Sequence, residues 1–163
     1  MMGATAKNLR DKYVLDAIDH KLLSLLNENS RRTNASLAEE LGIAQSTCLA
    51  RLNALREHGV IRKFTIEVEP ESVGHALEAL ISVRIRPGAR HLMAEFAAMI
   101  RALPGVAQVF FLGGDEDFLI HVGLKDSQEV RQFVLDHLSA NPAVANTRTS
   151  LIFENSRGEI PWV

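Results

Sequence analysis

The sequence contains one cysteine, Cys48, one tryptophan and one tyrosine among 163 residues. A single thiol forms no intramolecular disulfide and supplies no multi-cysteine zinc site. No apolar run approaches the roughly 20 residues needed to cross a bilayer. The opening stretch, Met1 to Asp16, is polar and mixed in charge, unlike the apolar core of a secretory signal. Neither charge sign dominates, the formal net charge being −2. There is no glycine-rich phosphate loop and no nucleophile motif. His20, His58, His75, His91, His121 and His137 are scattered, with no pair at metal-ligand spacing on one helix face. Together these absences lead us to expect a cytoplasmic protein with no membrane contact, metal, cofactor or catalytic residue.

What is present is ordinary globular material, 47% hydrophobic and 23% charged. Its charge is unevenly divided. Residues 1–63 carry ten Lys/Arg against seven Asp/Glu, and residues 64–163 carry eight against thirteen. A mildly basic module is thus joined to an acidic one.

The basic module reads as three short helices. Leu15, Ile18, Leu22, Leu25 and Leu26 fall at helical spacing, so a first helix is expected from about Asp16 to Leu26. After a polar break, Ser36 is placed to cap a second helix through Leu41, with Glu39 completing a capping box. Gly42 ends it. Gln45 or Ser46 then opens a third helix reaching Glu57, stopped by His58-Gly59. Helix, tight glycine turn, helix is the helix-turn-helix arrangement.

Beyond Gly59 the period changes to two. Phe64, Ile66 and Val68 alternate with Thr65, Glu67 and Glu69, which predicts a strand, and Pro70 to Ala76 is the expected linker. Strands are then predicted around Ile81 to Ile85, over Val106 to Leu112, over Asp117 to Leu124 and over Val144 to Glu154. Helices are predicted over His91 to Leu103, with Leu92, Phe96, Met99 and Ile100 inward, and over Ser127 to Ser139. The order β-α-β-β-α-β is the ferredoxin-like plan, and the fold class is α+β. The expected domains are residues 1–63 for the helix-turn-helix, 64–76 for a hinge strand and linker, and 77–163 for the rest. Two strands carry apolar residues on both faces: Val106 and Phe110 against Val109 and Phe111, and Phe118, Ile120 and Val122 against Leu119. Helices on one side leave the other set uncovered, and Ile160 and Trp162 alone in the tail are too little to cover it. A second copy of the chain is the expected cover.

The third helix is shaped for a DNA groove. With Cys48, Leu52 and Leu55 inward, Ser46, Thr47, Ala50, Asn53 and Ala54 point outward, flanked by Arg51 and Arg56. Small residues let the backbone approach base edges, polar ones bond bases or phosphates, and the arginines reach the backbone. Gln45 lies at the helix start, where free amides favour a phosphate. Arg31, Arg32, Arg62 and Lys63 are further candidates for phosphate contact.

Here the sequence resembles the Lrp/AsnC, or feast/famine, regulators. The likeness is carried by Leu15-Asp16-Ala17-Ile18-Asp19 to Leu25-Leu26, Ser36-Leu37-Ala38 to Ile43, and Ser46-Thr47-Cys48-Leu49-Ala50-Arg51-Leu52. It continues through Leu55-Arg56-Glu57-His58-Gly59-Val60-Ile61, Pro104-Gly105-Val106, Gly114-Asp115-Glu116-Asp117-Phe118-Leu119 and Asn146-Thr147-Arg148-Thr149-Ser150. The resemblance implies a winged or extended helix-turn-helix that binds double-stranded DNA and an effector-sensing domain. It also implies homodimers that assemble further, often to octamers. One departure concerns Ala50 and Ala54, where members carry more basic character. Fewer phosphate contacts per subunit predict sequence-tolerant binding that leans on oligomerisation.

A second candidate site is the turn Gly113, Gly114, Asp115, Glu116 and Asp117. Glycine amides suit a carboxylate and acidic side chains suit an ammonium, the two groups of an amino acid. In the resembling family this loop and residues of the last strand line a ligand pocket between dimers, which by position implicates Ser150, Leu151 and Ile152. Two other functions remain open. One is an enzyme subunit resembling sirohaem decarboxylase, for which His121 and His75 are the candidate residues. The other is an architectural DNA-compacting protein with no effector.

Overall fold

A computed structural model of the chain describes residues 13–155. Most of the opening stretch, and Ile160 and Trp162, lie outside those residues. The chain forms two compact units that divide between Ile66 and Glu67.

The first unit holds α1 (Ala17–Glu28), α2 (Asn34–Leu41) and α3 (Gln45–Glu57). A capping box exists, but not where the sequence suggested. Asp16 caps α1 by accepting from the Asp19 amide, while Asp19 accepts from the Asp16 amide. At α2 the cap is Thr33, whose hydroxyl accepts from the Ser36 amide, so Ser36 lies inside the helix and Glu39 closes no box. Two hydroxyl residues three apart compete for that start, and the upstream one adds a turn of helix. Gly42 behaves as expected, at φ +66° with its amide donating back into the last turn of α2. The core is Leu22, Leu25, Leu26, Leu37, Ala38, Cys48 and Leu55. Burial pushes the Cys48 thiol pKa up, which keeps it protonated and unreactive at neutral pH.

The predicted strand over residues 64–69 is absent: the stretch carries no assigned helix or strand. Alternation is a side-chain signal, whereas a strand also needs a neighbour for its amides and carbonyls. Phe64, Ile66 and Val68 stay 48%, 78% and 51% exposed. The expected linker holds a 3-10 turn, Pro70–Val73.

The second unit contains β1 (Leu77–Ile85), α4 (Met93–Arg101), β2 (Val106–Phe111), β3 (Phe118–Leu124), α5 (Ser127–Phe133) and β4 (Val144–Ile152). The strands form one antiparallel sheet in the order β2-β3-β1-β4, the expected ferredoxin-like topology. Alternate residues Ala79, Ile81, Val83 and Ile85 of β1, and Phe118, Ile120, Val122 and Leu124 of β3, share a core with Phe96, Ile100, Val130, Phe133 and Leu138. The inward stripe of α4 is Phe96 and Ile100 with Met93 and Ala97. Leu92 and Met99, expected inward, are exposed, because a 3-10 turn over Pro87–Leu92 delays the helix start. The last helix widens into a π turn over Val134–Ser139. At Gly105 (φ +78°) a Cβ would stand 2.8 Å from the Gly123 carbonyl oxygen, so only glycine fits.

The apolar count on β2 also changes. An irregularity between Val106 and Gln108 breaks the alternation, so that Val106 and Val109 both pack on the core. By register, Phe110 and Leu119 then lie on the other face, with Leu80, Ser82, Gln108, His121, Glu78, Ser150 and Ile152. That face is more polar than the sequence suggested, though Phe110 remains exposed on it; Phe111 lies on the core side against Phe118 and is exposed at its margin.

Candidate DNA interface and effector site

The exposed residues of α3 are Gln45, Ser46, Thr47, Leu49, Ala50, Asn53, Arg56 and Glu57. Ala54, expected outward, is half-buried. Leu49 was missed because a leucine counts as core by composition, yet at 48% exposure it shares the outer surface with Ala50 and Asn53. An apolar side chain there suits a thymine methyl group. An open cavity of about 420 Å³ at the C-terminal end of α3 is lined by Asn53, Arg56, Glu57, Ile61 and Arg62. It joins Arg62, from the segment after the helix, to two of the helix residues picked out by spacing.

The remaining arginines are placed differently. Arg31 is exposed and forms no ion pair among the described residues. Arg32 is held between Glu28, at 3.3 Å, and Glu40. Arg51 does not flank the outer face, as the sequence suggested. Its Nη1 donates to Asp16 Oδ2 at 2.7 Å and to Asp19 Oδ1 at 2.9 Å, tying the middle of α3 to the start of α1. The Tyr13 hydroxyl donates to Asp19 Oδ2 at 3.3 Å, and its ring stacks on His58 at 4.7 Å. Burial, and then the Asp19 charge, raise the Tyr13 hydroxyl pKa.

The Asp19 amide, and after it Arg51, hold the Asp16 carboxyl pKa below the ordinary carboxylate value. A depressed native pKa stabilises the fold fully above the unfolded value and fades as pH falls through the native one. Asp16→Asn should therefore lower the melting temperature at neutral pH, and the deficit should close as pH drops below the carboxylate range. Thermal melts from pH 7 to pH 3 will check this, since a deficit constant in pH contradicts it.

In the second unit, the turn between β2 and β3 holds Gly113 to Asp117, and an arginine faces each of its acids. Arg84 Nε donates to the Asp115 carbonyl at 2.7 Å, with the two side chains 3.7 Å apart. Arg148 lies 4.0 Å from Glu116 and Arg90 lies 3.9 Å from Asp117. Asp117 is buried, and its Oδ2 accepts from the Ile85 amide at 2.7 Å. The carboxylate offered on sequence grounds to an ammonium is thus already bonded inside the fold.

Nor does one chain bring the two halves of that site together. Ser150, Leu151 and Ile152 pair with Leu80, Ala79 and Glu78 of β1, whereas Asp117 bonds at Val83 and Ile85. At about 3.4 Å per residue, these β1 positions are about 10 Å apart at the nearest, Leu80 to Val83, and about 24 Å at the farthest, Glu78 to Ile85. The β4 residue facing the turn is Arg148 instead.

His121 Nε2 lies 2.8 Å from Glu78 Oε1, and His75 packs over Gly123. Among the described residues no group of three or more His, Cys, Asp or Glu side chains is placed to hold a metal. No described helix is long and apolar enough to cross a membrane.

Comparison with known proteins accounts for both units. Residues 15–62 match the winged helix-turn-helix DNA-binding model, and residues 78–159 match the Lrp/AsnC ligand binding domain. The HTH-type transcriptional regulator AldR of Mycolicibacterium smegmatis is 46% identical over 90% of this chain and 86% of its own. Transcriptional regulator AzlB of Bacillus subtilis is 31% identical over 88% of this chain and 92% of its own. A Neisseria meningitidis transcriptional regulator, solved as an L-Met complex, superposes with a TM-score of 0.82 at 35% identity, over 89% of this chain and 94% of that one.

Proposed function

Given that the chain belongs to the Lrp/AsnC family of DNA-binding transcriptional regulators, we propose that it is an oligomer that reads DNA with α3 and answers to an amino acid. In this reading Gln45, Ser46, Thr47, Leu49, Ala50 and Asn53 meet base edges in the major groove, while Arg56 and Arg62 hold phosphates and Arg31 reaches the flanking backbone. The observation that carries it is the exposed face of α3 ending in a cavity with two arginines. Arg32, neutralised by Glu28 and Glu40, adds little. With Ala50 at the centre of the face, base discrimination is modest and the duplex is gripped through several subunits at once.

The assembly is a homodimer that grows further, to an octamer in full. Exposed Phe64, Ile66, Val68 and Phe110 support association, since single chains rarely leave that much apolar surface in water. The effector lies between copies, with amides of Gly113 and Gly114 and the acids Asp115 and Glu116 from one chain, and Ser150, Leu151 and Ile152 from another. The separation of the two halves within one chain supports a shared site, and the L-Met complex of the Neisseria relative supports an amino acid. Asp117 shapes the loop from within.

Gel retardation on promoter fragments at modest salt tests the DNA reading, and failure to retard any fragment overturns it. A thermal-shift screen of the twenty amino acids tests the effector, because a ligand that binds only the native state raises the melting point. No shift with any of them leaves a DNA-binding protein of architectural type.

A further inference from the structure

We propose that Arg51 is a positioning residue, which sets the roll of α3 through the buried Asp19 and does not itself touch DNA. The inference rests on the DNA-binding reading above. Among the residues of α3, only Cys48 and Leu55 are buried, and its N-cap, Ala44, offers no side-chain bond. Apolar contact through these two and the half-buried Leu52 is non-directional. Directional bonds add to it: Asn34 Nδ2 donates to the Gln45 carbonyl at the start of α3 at 2.9 Å, and the Arg51 guanidinium holds its middle. It bonds Asp16 at 2.7 Å and Asp19 at 2.9 Å, and Asp19 is 1% exposed and tied by the capping box to the first turn of α1. Tyr13 extends the cluster, bonded to Asp19 and stacked on His58 at the C-cap of α3, so the helix is gripped at its middle and its end.

The geometry makes the roll consequential. On a helix about 10–12 Å across, a roll of about 25° moves side-chain tips by about 2–3 Å. That displacement takes a polar group such as Asn53 out of hydrogen-bond reach of a base edge. Drawing Arg51 out to a phosphate would instead strand the Asp19 carboxylate in the interior, a greater loss than one phosphate contact returns.

The test uses the full chain, with a duplex selected by it from a random pool and an unselected duplex as competitor. Arg51→Gln is expected to lower the preference for the selected duplex about tenfold, the worth of one base-edge contact. The slope of log affinity against log salt should stay unchanged. Asp19→Asn should do the same, and the double variant should be no worse than either single one, because both act through one contact. Arg51→Lys keeps the charge, and an ammonium can donate to both carboxylates as Nη1 does, but its side chain is one atom shorter, so it should fall between native and Arg51→Gln. A salt slope about 0.9 shallower for each lost contact would make Arg51 a phosphate ligand and overturn the proposal. So would a lower melting temperature with the preference intact across all three substitutions, which marks a purely structural role. A native chain that binds no duplex overturns the DNA reading itself, and this inference with it.

Discussion

Replacing Arg56 and Arg62 together by alanine should weaken binding to any duplex by about 10²–10⁴-fold per subunit at low salt, given about 1.5–3 kcal/mol for each of two hydrogen bonds to a charged group. Both side chains line the cavity at the C-terminal end of α3, with Asn53 and Glu57, and both are exposed. Neither forms an ion pair among the described residues, so their removal strands no partner. The melting temperature should therefore stay near the native value. If a dimer is bound, two lost contacts per subunit should make the salt slope shallower by about 3.6. Selected and random duplexes should be weakened alike, because phosphates carry no sequence information. Binding isotherms from 50 to 300 mM salt will decide the matter. An unchanged slope would mean that the arginines face solvent, and the docking of α3 would need a different orientation.

The contrast between Arg56 and Arg51 shows where the sequence is legible. Helical spacing within a dozen residues separated buried Cys48 and Leu55 from exposed Ser46, Thr47, Ala50 and Asn53, because a regular helix converts position into direction. Arg51 sits at the margin of that stripe, and its partner Asp19 lies 32 residues upstream. No local pattern reports such a contact. The charge of an arginine says only that it will find an anion, in this case a buried carboxylate.

The same divide runs through the second unit. The order of strands and helices was readable, since each element announces its own period. Pairing was not. The segment 64–69 has perfect alternation yet carries no assigned strand, because a ladder needs a neighbour that alternation cannot supply. One irregularity between Val106 and Gln108 was enough to move Val109 to the core side. The candidate effector residues do not meet within one chain for a related reason. Gly113 to Asp117 and Ser150 to Ile152 were joined by family likeness, while antiparallel register sets them toward opposite ends of β1. A site of the proposed kind, made by two chains, would be legible in neither alone.

Asp117→Ala should lower the stability of the second unit by about 2–4 kcal/mol, since it leaves a buried amide without an acceptor and removes a packed carboxylate. For a domain of this size that is a fall in melting temperature of about 10–20 °C. The reason lies in the bonds the residue makes. Its Oδ2 accepts from the Ile85 amide, its own amide donates to the Val83 carbonyl, and its carbonyl accepts from Leu112. It therefore pins the turn of Gly113 to Asp117 to the end of β1. Asp117→Asn keeps a side-chain oxygen for Ile85 and should recover much of the loss. A role as ammonium ligand predicts the opposite pattern, a normal melting temperature in both variants and no response to an amino acid in either. Differential scanning calorimetry with and without an amino acid that shifts the native chain separates the two. If Asp117→Asn melts near the native temperature and still responds, the acid needed by an ammonium is Asp115 or Glu116, and Asp117 holds the loop that presents them.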